Sequence, residues 1–84
     1  MNDDLLPDLI TAVEQQIAST DTKYVAQTFD RLIALGLDPD EAKSQIAICL
    51  GEEMEALLKT RKPFNESAYR AALEALPMEE IENS

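Results

Sequence analysis

The 84 residues, 45% of them hydrophobic, supply one domain with a thin core and exclude two. There are 17 acids against 7 bases, a formal charge of −10, with no His and a single Cys, so the commonest neutral-pH base and metal ligand is missing and no internal disulfide can form. Two Gly, four Pro, no Trp and no alternating Val/Ile/Thr run favour helix over sheet; without a charged-then-apolar leader or about 18 consecutive apolar residues, the expected setting is the cytoplasm, with no membrane contact.

The first helix is predicted from Leu5 to Ser19, with Asp3 or Asp4 as its cap and Pro7 in the first turn, where a missing N–H costs little. Leu6, Leu9, Ile10, Val13 and Ile17 fall on one narrow face, and Asp8, Glu14 and Gln15 face away. A core this small leaves that seam in need of a surface. The five residues are therefore the predicted partner-binding set, for another protein or for a second copy in a homodimer.

Thr20 to Thr22 interrupts, and a second helix is predicted from Lys23 to Leu35, with Val25, Phe29, Leu32 and Ile33 inward and Tyr24 at the edge. A stop and a start follow in adjacent residues. Gly36 can take the left-handed conformation that closes a helix. Asp38 suits the next N-cap, Pro39 the first helical position, and Glu41 the third, as in a capping box.

The third helix, Pro39 to Thr60, is expected to be the longest and central. Ala42, Ile46, Cys49, Leu50 and Leu57 form one face, Ala47, Gly51, Met54 and Leu58 extend it sideways, and Gln45, Glu52, Glu55 and Lys59 point outward. An arc this wide predicts more than one packed neighbour. Gly51 in a helix interior predicts close approach of another helix. After Pro63, Asn65 is the predicted N-cap of a fourth helix over 66–76, with Phe64 and Tyr69 at the two positions of a hydrophobic staple. Tyr69, Ala72, Leu73 and Leu76 form its inward face, Pro77 ends the pattern, and 78–84 is a short acidic tail.

Charge is uneven along the chain: −4 over 1–20, −1 over 21–38, −4 over 39–58, +2 over 59–77 and −3 over 78–84. Lys59, Arg61, Lys62 and Arg70 thus stand against an acidic background, available to acidic parts of this chain, a second copy or an anionic ligand.

Chemistry is mostly excluded. Zinc, haem and His-assisted nucleophiles lack their usual parts. Asp38-Pro39-Asp40-Glu41 lacks the rest of a calcium loop, and Cys49 reads as a core residue. Glu53, the polar residue inside the apolar stripe of the third helix, is expected to hydrogen-bond a Tyr hydroxyl or a basic side chain. A DNA-binding helix-turn-helix is disfavoured, because the third helix has five acids and one base between Asp40 and Leu58. No catalytic, cofactor or metal residue is assigned, and no nucleic-acid partner is expected.

Two resemblances apply. Leu35-Gly36-Leu37 followed by Asp40-Glu41-Ala42 resembles the Met-Gly-Phe-type loop and following helix of ubiquitin-associated domains. Leu37 replaces the aromatic and the third helix runs past where such a domain turns, so no ubiquitin-binding residues are carried over. A fuller pattern, Gly36, Asp40-Glu41-Ala42, Ile46-Ala47, Glu53, Pro63-Phe64-Asn65, Tyr69 and Leu73 through Leu76-Pro77, resembles a small all-helical module of unknown function in uncharacterised prokaryotic proteins. It implies a prokaryotic source and a helical fold over about 22–77, and brings no catalytic residues.

The expectation is an all-α domain, a compact bundle of four helices with the long third helix packed on the second and fourth, and the first laid over them or exchanged with another subunit. The expected role is protein–protein interaction or self-association, not enzymatic. The alternatives are a small-ligand protein or enzyme using Glu53 and Tyr69 with Lys59, Arg61 or Arg70, and an acidic mimic of nucleic acid.

Overall fold

The computed structural model describes residues 5–77, with the side chains of Leu5 and Leu6 outside that description. It is all-α: α1 Leu5–Ala18, a single 3-10 turn Thr20–Thr22, α2 Lys23–Ala34, α3 Pro39–Thr60 and α4 Glu66–Glu74, with no strand among the described residues. Asp3, Asp4 and the acidic tail lie outside the described residues. α1 stops one residue before the expected Ser19 because that hydroxyl accepts from the Asp21 N–H and caps the 3-10 turn. α2 ends at Ala34 and α4 at Glu74, so Leu35, Ala75 and Leu76 fall in closing turns.

The stop at Gly36 follows from its backbone, which sits at φ 105°. Gly36 N–H donates to the Ile33 carbonyl at 2.9 Å and Leu37 N–H to the Leu32 carbonyl at 3.1 Å, the paired bonds of a Schellman closure. Leu37 packs back against the core. The restart is Asp38, whose carboxylate accepts from the Asp40 N–H at 3.1 Å ahead of Pro39. Glu41 does not complete the capping box. It accepts a 3.0 Å bond from the Gln45 amide instead.

α3 is central, as its wide apolar arc requires. α1 runs antiparallel to it: Leu9 meets Gly51, while Glu14 pairs with Lys43 at 3.0 Å. A Cβ on Gly51 would lie 3.0 Å from Leu9 Cδ1, which is the close approach that this glycine predicts. Val13, Val25, Leu32, Ile46, Tyr69 and Leu73 are the large side chains of the sealed core. Gln45, expected outside, is buried. Its amide nitrogen donates to Glu41 at 3.0 Å, a partner one turn earlier that a helical wheel scoring only polarity does not register.

α2 and α4 lie side by side and run parallel. Tyr24 near the start of α2 meets Tyr69 edge-on at 6.0 Å, and Arg31 near its end reaches the Leu73 and Leu76 carbonyls. Asn65 caps α4 by accepting from the Ala68 N–H at 3.0 Å. Phe64 and Tyr69 close the predicted staple, with ring centroids 5.5 Å apart.

Candidate functional site

The seam of α1 has a use inside the chain. Val13 is fully buried and Leu9, Ile10 and Ile17 pack on the core; Leu6 is outside the described side chains. The face offered to a partner by the sequence is thus largely covered by α3, because the wide arc of α3 supplies the surface that a narrow seam needs. α1 is laid on the bundle within one chain.

An open apolar surface lies elsewhere, on the last two turns of α3. Ala47, Gly51, Met54 and Leu58 follow the 4-3-4 spacing that keeps one side of a helix in line. α1 covers the first half of that line. With Leu9 against Gly51 in an antiparallel pair, Leu5 at the start of α1 is level with Glu55, and Leu58 lies past it. Leu58 is accordingly 73% exposed, while Met54, level with the first turn of α1, is 44% exposed. Lys59, Arg61 and Lys62 follow directly, all exposed, with Lys59 within 3.4 Å of Glu55.

Beside this strip a groove of about 520 Å³ opens between α3 and the chain leading into α4, lined by Glu53, Leu57, Lys62, Pro63, Phe64 and Glu66 among others. Its shape follows from two local features. Arg61 turns the chain with a left-handed backbone, φ 61°, and Phe64 is drawn down by the staple.

The constellation for an enzyme does not assemble. Glu53 lines the groove, but Tyr69 is fully buried and its hydroxyl donates to Gln16 Oε1 at 2.7 Å. Among the described residues Glu53 bonds neither to a tyrosine hydroxyl nor to a basic side chain, contrary to the expectation of one or the other. Sequence reasoning missed Gln16 as the partner, because a 53-residue separation leaves no local signal. Burial first, then the nearby Tyr24 and Cys49, raises the Tyr69 hydroxyl well above the ordinary phenol value, so it is a fixed donor rather than a base. Burial, then Glu52 and Glu53, pushes the Cys49 thiol up to about 11, which keeps it protonated and poorly nucleophilic.

A second hollow, of about 300 Å³, lies between α2 and α4, lined by Tyr24, Gln27, Thr28, Arg31, Arg70, Leu73 and Glu74. The Arg70 guanidinium sits 4.8 Å from the centroid of the Tyr24 ring. Tyr24 itself titrates above its ordinary value, through burial and then the hydrogen-bonded Glu66 carboxylate, with Arg70 opposing.

Among the described residues no group of three or more His, Cys, Asp or Glu is placed to hold a metal ion, and no helix is long and apolar enough to cross a membrane. Compared with known proteins, the chain matches no family model, no curated protein and no solved structure.

Proposed function

We propose that the chain is a cytoplasmic protein-interaction module that receives a helix of another protein along the last two turns of α3. The carrying observation is the exposure of Leu58 and Met54 on the side of α3 that α1 packs against earlier in the helix. Continuity argues for the occupant: a surface built to take an antiparallel helix at Ala47 and Gly51 keeps the same spacing through Leu58. Lys59, Arg61 and Lys62 at the end of the strip favour a guest helix with acidic residues in its first turn, where they also suit its own dipole. A second copy of this chain suits the strip less well, since each copy carries −10 and Glu55 flanks the strip.

Site-specific photo-crosslinking in the native host tests the reading. With benzoylphenylalanine at Leu58, one discrete adduct is expected, and the same group at the exposed Asp30 of α2 gives none. An adduct of twice the chain mass gives the strip to self-association instead. No adduct from Leu58, or the same adducts from both positions, sinks the proposal.

A further inference from the structure

Arg31 and Arg70 share the 300 Å³ hollow between α2 and α4, and each is held in place before any ligand arrives. Arg31 is fixed by two bonds, from Nη1 to the Leu76 carbonyl at 2.7 Å and from Nη2 to the Leu73 carbonyl at 2.9 Å. Arg70 is fixed by lying over the Tyr24 ring. Neither guanidinium has a carboxylate within ion-pair distance among the described residues, where the ion pairs join Lys43 to Glu14 and Lys59 to Glu55. In a chain with 17 acids and 7 bases, two arginines on one concave surface with no ion pair among the described residues run against the composition. Carbonyl oxygens and a π face orient a guanidinium without cancelling its charge, so N–H donors of both side chains stay available to an oxyanion.

We propose that this hollow binds a single oxyanion, the phosphoryl or carboxyl group of a small molecule, between Arg31 and Arg70. The volume lies at the lower end for small-molecule sites, which suits a compact metabolite and not a dinucleotide. Glu74 also lines the hollow and the Glu66 carboxylate lies on the Tyr24 hydroxyl, so the two guanidinium groups face two acids nearby, a balance that suits one anionic group held by hydrogen-bond geometry rather than a polyanion drawn in by charge. The Gln27 amide lies in the same lining and offers a neutral contact for the rest of the ligand. This site stands apart from the α3 strip and does not depend on it.

The test is an NMR titration of the full chain at low ionic strength with inorganic phosphate and, separately, acetate, following the Arg Nε–H and Tyr24 ring signals. Saturable shifts at Arg31, Arg70 and Tyr24 are expected, and the tighter of the two probes identifies the source of the oxyanion. Arg70→Gln should weaken binding by about tenfold or more, while Lys43→Gln leaves it unchanged. Arg70→Lys, which keeps the charge but loses the planar fork, should also weaken binding with the helical circular dichroism unaltered. Unsaturating drift at all basic residues alike would reduce the site to a counter-ion effect and overturn the proposal. Saturable binding seen only after Glu79→Gln, Glu80→Gln and Glu82→Gln are combined would overturn it too, by giving the hollow to the acidic tail.

Discussion

Nη1 of Arg31 donates to the Leu76 carbonyl oxygen at 2.7 Å, so the last turn after α4 is closed by a side chain from α2, 45 residues earlier. Helix C-termini leave carbonyls without partners, and a cation there also meets the negative end of the dipole. Arg31→Met removes both bonds while keeping most of the stem. We expect a loss of about 1–2 kcal/mol in urea unfolding, with α4 amides exchanging faster than those of α3. Unchanged exchange in α4 would count against the capping role.

Tyr69→Phe removes the hydroxyl that donates to Gln16 and leaves the half-buried Gln16 oxygen without that partner. The expected cost is about 1–2 kcal/mol. Pairing it with Gln16→Leu should recover part of that loss, since both polar groups then leave the contact together. Additive losses in the double variant would show that the bond carries no coupling.

Arg61 holds a left-handed backbone at φ 61° where glycine is the usual residue, at the end of the longest helix. Arg61→Gly should raise stability by about 0.5–1 kcal/mol, the relief of strain exceeding the added freedom of the unfolded chain. A lower thermal midpoint would mean that the Arg61 side chain contributes more than its conformation costs.

Asp38→Ala removes the N-cap of α3 and should cost about 1 kcal/mol. Crosslinking from Leu58 should persist at the opposite end of the helix, as long as the assay runs below the unfolding midpoint. Loss of crosslinking at full stability would make Asp38 part of a binding surface.

Alkaline pH should unfold the protein. Both the Cys49 thiol and the Tyr69 hydroxyl titrate higher in the fold than in the unfolded chain, so each contributes stability that is complete below its unfolded value and lost as pH rises through its folded one. For Cys49 that window runs from 9.0 to about 11. Urea midpoints should hold steady from pH 7 to 9 and fall beyond, less steeply in Cys49→Ala. A flat profile to pH 11 is the contrary result.

Punctuation was the most legible part of the sequence. Gly36, Asp38 with Pro39, and Phe64-Asn65 with Tyr69 act within a few residues of themselves, so their types and spacing suffice to place three helix ends. Gln45 defies its polarity because Glu41, one turn earlier, gives its amide nitrogen a partner as it is buried. Met54 and Leu58 were read as part of an inward arc. Their exposure depends on the register between α1 and α3, which neither helix's own period contains. The α2–α4 hollow was hidden for the same reason: Arg31 and Arg70 meet only through packing between segments distant in sequence.

The shortest of the four helices supplies Tyr69, the largest of the fully buried side chains. As the ribosome releases the chain, α1, α2 and α3 therefore emerge with the core they share with Tyr69 and Leu73 incomplete until α4 is out. Completion arrives in one late step, when α4 brings the Tyr69 ring, the link to Gln16 and the carbonyls for Arg31 together. Shortened forms ending near residue 62 are in this respect nascent chains arrested before closure.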